Sequence, residues 1–193
     1  MASMAATVGT WPEHVDTEWT VDMLDTLPDN GLRYEILDGV LLVSPSPAVR
    51  HQVALSELVG LLLAACPPSH RVLFAPLDWQ PDRHTSLQPD ILVLARDAYT
   101  AERITGTPEL VIEALSPTTA RVDRLLKFSR YAEGGIGQYW IVDPGLRGAP
   151  PSIEVYDLVD GAYHLRAQAR GHEAITFDGP VPVTLSPSLL VEP

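Results

Sequence analysis

The chain has 193 residues, of which 46% are hydrophobic and 20% charged, enough for one domain with a real core. Its net charge of −12 argues against broad electrostatic adhesion to nucleic acid, which needs a basic face. There is no 18-residue apolar run to cross a membrane and no basic, apolar leader of the signal-peptide kind, and the single cysteine, Cys66, can form no internal disulfide, so a cytoplasmic protein is expected.

Residues 1–16 read as a flexible N-terminal leader and 17–193 as one domain. Thr20 is placed to cap a short helix reaching Leu27, which Pro28 and Asp29-Asn30-Gly31 end. Asp38-Gly39 separates two strand-like runs, 34–37 and 40–44, a strong hairpin signal. Pro45 and Pro47 break the second run. From Ala48 to about Ala65, the residues Val49, Val53, Leu58, Val59, Leu62 and Leu63 recur at helical spacing, and Cys66-Pro67-Pro68 stops the helix. Cys66 itself reads as a buried small hydrophobe.

Residues 72–80 read as one strand and 88–95 as another, followed by a loop over 96–106. Residues 109–115 are apolar on both sides, as in a central strand. Ser116-Pro-Thr-Thr119 starts a helix that runs to about Glu133 and ends at Gly134-Gly-Ile-Gly137. Residues 139–142 form a buried strand. A second Asp-Gly, Asp160-Gly161, joins runs 152–159 and 162–169. The order predicts an α/β fold: a mixed β-sheet flanked by helices, with extra β-hairpins.

Two carboxylates stand out. Asp90 and Glu113 each sit in an otherwise apolar strand, where an unpaired charge costs several kcal/mol. They either lie at strand ends facing water or share a divalent cation held by oxygen ligands. Glu35, in the first hairpin, reads as an ordinary exposed strand residue. Lys127 is the only lysine beside twelve arginines. It shares one helix face with Asp123 and Tyr131, whereas Val122, Leu125, Ser129 and Ala132 form the face expected to pack on the sheet. By that geometry Lys127 is either half of a surface pair with Asp123 or must reach round to the sheet edge. His51, alone on the first long helix, shows no zinc-ligand spacing. Phosphate loops, dinucleotide fingerprints and serine-nucleophile elbows are absent.

The motifs Arg33-Tyr-Glu-Ile-Leu-Asp-Gly39, His51, Pro89-Asp-Ile-Leu-Val93, Pro108-Glu-Leu-Val-Ile-Glu-Ala-Leu-Ser-Pro117, Asp123/Lys127/Tyr131 and Tyr139-Trp-Ile-Val-Asp-Pro144 occur in that order. Together they resemble the Uma-type restriction endonucleases, a branch of the PD-(D/E)XK nuclease superfamily, over roughly residues 20–190. The resemblance implies a restriction-endonuclease-like fold and a Mg²⁺- or Mn²⁺-dependent endonuclease acting on DNA, expected as a homodimer. It implies Asp90 and Glu113 as metal ligands, with Glu35 and Lys127 completing the catalytic set. Arg121, Arg124, Tyr131 and His51 become candidates for substrate contact, and Arg130 a further local phosphate contact. The superfamily lysine two residues after the glutamate is replaced here by Leu115, so Lys127 would supply it from the next helix. The competing expectation is a non-catalytic, dimeric binding or regulatory protein that keeps the fold.

Overall fold

A computed structural model describes residues 18–191, so the leader expected over 1–16 lies outside the described residues. A short helix, α1 (Val21–Leu24), opens the described chain and stops before the expected Leu27. Thr20 stands at its N-cap position, but its side chain makes no capping bond. Asp38 (φ 49°) and Gly39 (φ 78°) both take positive φ, the conformation a tight two-residue hairpin needs. They join β1 (Arg33–Leu37) to β2 (Val40–Ser44) in a register that runs from Arg33 opposite Ser44 to Leu37 opposite Val40. The helix α2 (Val49–Ala65) follows and turns Ala54, Leu55, Leu58 and Leu62 inward. Cys66 just beyond it is half-buried against the core.

The single strand expected over 72–80 is two strands, β3 (His70–Phe74) and β4 (Trp79–Asp82), which belong to different sheets. Pro76 lies between them and has no N–H to continue a ladder. Likewise β5 (Thr85–Leu87) ends before Pro89, and β6 (Ile91–Ala95) begins after Asp90, so Asp90 stands one residue outside its strand. The strands β7 (Leu110–Ala114) and β8 (Gln138–Asp143) are parallel neighbours, which requires a crossover. That crossover is α3 (Ala120–Val122), a π turn (Asp123–Lys127) and α4 (Phe128–Glu133). The second expected hairpin is β9 (Ser152–Val159) with β10 (Ala162–Arg170), and a small pair, β11 (Ile175–Phe177) with β12 (Val183–Leu185), completes the strands among the described residues.

The main sheet has six strands in the order β10-β9-β8-β7-β6-β3, and a four-stranded sheet runs β2-β1-β5-β4. In the main sheet only the β7–β8 pairing is parallel. Alternation along β7 sorts its side chains to two faces. Leu110, Ile112 and Ala114 join the core under α2, and Val111 and Leu115 join the core under α4 with Tyr131, Tyr139 and Ile141. Glu113 shares the parity of Val111 and Leu115, so it points to the side the crossover covers.

The crossover shows the sheet a different face from the one its apolar spacing suggests. Asp123, Lys127 and Tyr131 are buried, while Leu125 is 56% exposed and Ser129 is exposed too. Phe128 takes over the apolar packing, edge-on to Tyr156 and Tyr163 at centroid distances of 4.9 and 5.1 Å. Buried acids on the sheet side need a cation, and the inward turn of Lys127 supplies it. The cost is partial exposure of Leu125, less than the roughly 2 kcal/mol that full burial of a leucine yields.

Candidate active site

The antiparallel register of β6 and β7 sets Ile91 opposite Ile112, and the next step places Asp90 opposite Glu113. Asp90 uses its side chain where the backbone ladder runs out: Ala114 N–H donates to Asp90 Oδ2 at 2.9 Å. His51 Nε2, from α2, lies 3.3 Å from the same oxygen. Asp90 Oδ1 receives Arg33 from β1 at 3.2 Å. Burial pushes the Asp90 carboxyl up, but His51 and Arg33 outweigh it and hold the group below the usual carboxylate range.

Lys127 links the two sheets. Its ammonium donates to Glu113 Oε1 and approaches Glu35 Oε1, both at 2.9 Å, with Asp123 Oδ1 at 3.7 Å. Tyr131 OH donates to Glu113 Oε1 at 2.7 Å, and Tyr139 OH fixes the crossover by donating to the Asp123 carbonyl at 3.1 Å. A π turn at this point fits the habit of such turns to occur at functional sites. Glu35 also accepts Gln88 N–H at 2.8 Å and Arg33 at 3.2 Å. Glu35 is therefore buried, at 3% exposure, and not the exposed strand glutamate its sequence position suggests.

The charges do not balance. Four buried carboxylates, Glu35, Asp90, Glu113 and Asp123, face two permanent cations, Arg33 and Lys127, with His51 beside Asp90. Glu113 carries the deficit: burial, together with Asp90 and Asp123, raises its carboxyl to about 8 although Lys127 opposes this. Asp123 is raised for the same leading reason, burial. Glu35 is lowered, because Lys127 and Arg33 overcome its burial. Lys127 is itself raised: burial would lower it, but Glu113, Glu35 and Asp123 keep it charged.

All of Arg33, Glu35, His51, Asp90, Glu113, Asp123 and Lys127 line one cavity of about 1050 Å³. The donors are oxygens, the kind a hard cation takes, and the buried Asp123 Oδ2 has no hydrogen-bond partner. Among the described residues no three His, Cys, Asp or Glu side chains converge into a ready-made metal cage. Mg²⁺ commonly uses only one or two carboxylates and keeps its waters, so this donor set fits it.

Four residues expected at the substrate lie outside the cavity lining. Tyr131 is fully buried behind Glu113, where its hydroxyl serves the carboxylate and not the cavity wall. Arg124 is paired with Glu154 at 2.5 Å, and neither Arg124 nor the exposed Arg121 is among the residues lining the cavity. Arg130 bonds Asp38, Asp82 and Thr85 on the far side of the crossover. Conversely, Arg33 belongs to the site, bonded to Asp90 and Glu35, although the sequence reading does not single it out. It stands two residues before Glu35 on one strand, hence on the same face, and that spacing was the signal available.

A mixed sheet carrying acids at the ends of adjacent strands, with a lysine supplied from the crossover, defines a restriction-endonuclease-like fold. A crystal structure described as a putative nuclease belonging to DUF820, from Anabaena variabilis ATCC 29413, superposes with a TM-score of 0.71. The two are 21% identical, and the match covers 90% of this chain and 97% of that one. The chain belongs to the Uma2 family, described as putative restriction endonuclease, which it matches over residues 21–189. No curated protein matches it.

Proposed function

We propose that the protein is a metal-dependent endonuclease that hydrolyses DNA phosphodiester bonds. The observation that carries this reading is the Lys127 ammonium, 2.9 Å from both Glu35 and Glu113, in the cavity that Asp90 also lines. Asp90 and Glu113 would hold Mg²⁺ or Mn²⁺. The cation, when bound, polarises the phosphodiester and makes a bound water more acidic.

The protein's own groups do the rest. Lys127 orients the attacking water and offsets negative charge growing on the phosphate oxygens. Glu35 holds that ammonium and the Arg33 guanidinium in place. His51 donates to Asp90 and fixes the carboxylate's orientation, as an outer partner does for a metal ligand. Tyr131 does the same for Glu113. Arg121, exposed on the crossover outside the cavity lining, would meet only a phosphate of a longer substrate. A homodimer pairing along β10, an edge of the main sheet, would present two sites to two strands.

The test is cleavage of plasmid and branched DNA with Mg²⁺ or Mn²⁺ by the wild type, Lys127→Ala and Asp90→Asn. The wild type should nick or linearise DNA only with metal, and both variants should lose at least a hundredfold. Calorimetric Mn²⁺ binding without cleavage of any DNA would favour the non-catalytic binding or regulatory protein instead.

A further inference from the structure

The cavity has a second wall that the nuclease reading does not use. Besides the acids, the same cavity is lined by Leu55 and Val59 of α2, Pro47, Leu32, Phe74 and Pro76, an apolar set. Phe74, at the end of the edge strand β3, is 54% exposed there. Arg33 and Lys127 are the only lysine or arginine side chains among the described lining residues, and both are bound to carboxylates. Five acids, Glu35, Asp78, Asp90, Glu113 and Asp123, share the lining.

A double helix shows a protein its phosphates first and is gripped mainly through them. The described lining of this cavity offers no spare lysine or arginine to do so. What it offers is an aromatic ring and aliphatic side chains beside the acids, which suits the face of an unpaired base. One cavity holds both the apolar residues and the acids, so on the nuclease reading the group that meets the apolar residues belongs to the substrate.

Building on the nuclease reading, we infer that the site takes an unpaired nucleotide, as in single-stranded DNA or the flap of a branched duplex. Its base packs against Phe74 and Pro76, which sets the adjoining phosphodiester over Asp90 and Glu113.

Fluorescence anisotropy with labelled oligonucleotides in Ca²⁺ tests the inference on the intact protein. A single strand, a blunt duplex of the same sequence and a flapped duplex are compared for the wild type, Phe74→Ala and Phe74→Trp. The single strand and the flap should bind at least tenfold tighter than the blunt duplex, with a shallow salt dependence. Phe74→Ala should weaken them about tenfold, as loss of one stacked base does, and Phe74→Trp should restore them. Circular dichroism confirms that each variant is folded. Preference for the blunt duplex, an unaffected Phe74→Ala, or no binding to any oligonucleotide would overturn the inference. Tight single-strand binding without Mg²⁺-dependent cleavage would keep the inference and sink the nuclease reading. Duplex cleavage indifferent to Phe74 would do the reverse.

Discussion

Removing Lys127 would leave Glu35, Glu113 and Asp123 buried without the cation they share. Lys127→Met should therefore cost about 3–5 kcal/mol in urea denaturation. Glu113→Gln in that background should recover part of the loss, and a double-mutant cycle with no coupling would refute the pairing. Glu113 also sets a pH dependence in metal-free protein. Its carboxyl is raised on folding to about 8, chiefly by burial, so folding takes up a proton. Its stabilising contribution is complete below the ordinary carboxyl range and is lost as pH rises to about 8. Glu35 and Asp90 are lowered on folding, so their contribution is present above that range and lost as acid is added. Thermal melts in EDTA should thus weaken between about pH 5 and 8, and Glu113→Gln should make that limb shallower, the rest coming from Asp123 and His51, which are also raised on folding, while leaving the acid limb.

Within the crossover, periodicity set Leu125 and Ser129 against the sheet, where the fold exposes them, although Ala132 of the same expected face does pack on the core. Hydrophobic spacing assumes that an apolar stripe always finds the core. Here an acid on β7 and another on β1 compete for the inward position, and a local pattern does not register charges brought from distant strands. Two substitutions test the observed orientation. Leu125→Gln should change stability by no more than about 0.5 kcal/mol, because that side chain is mostly in water. Gly134→Ala, just past α4, should cost about 1–3 kcal/mol, since its new Cβ would stand 2.4 Å from Trp79 Cη2. Trp79 is held there against Tyr131, with ring centroids 5.6 Å apart. Equal effects in chemical denaturation would reject the packing described for this helix. Both hairpins, by contrast, were legible in the chain because Asp-Gly is a local signal that needs no partner. The division between β3 and β4 was readable too, from Pro76, but apolar continuity on both sides of it masked the break.

At the scale of the whole molecule, the site is assembled from β1, α2, the ends of β6 and β7, and the crossover. Asp90, Glu113 and Lys127 were visible as types and as family motifs. Their convergence was not, since it depends on the β6–β7 register and on one sheet meeting another. A divalent cation should stabilise this assembly by mass action: Mn²⁺ at a hundred times its dissociation constant should add about 2.7 kcal/mol of stability, seen as a higher melting temperature. Asp90→Asn should abolish that increase, and a wild type indifferent to Mn²⁺ would argue against a cation site. The burial of Lys127 also has a practical side. As the chain's only lysine, it is the one side-chain amine that an acylating reagent can modify, and in the closed protein it is 3% exposed and hydrogen-bonded. Mass-resolved acylation at this position then becomes a clock: its rate reads how often the Lys127 amine leaves its carboxylate partners.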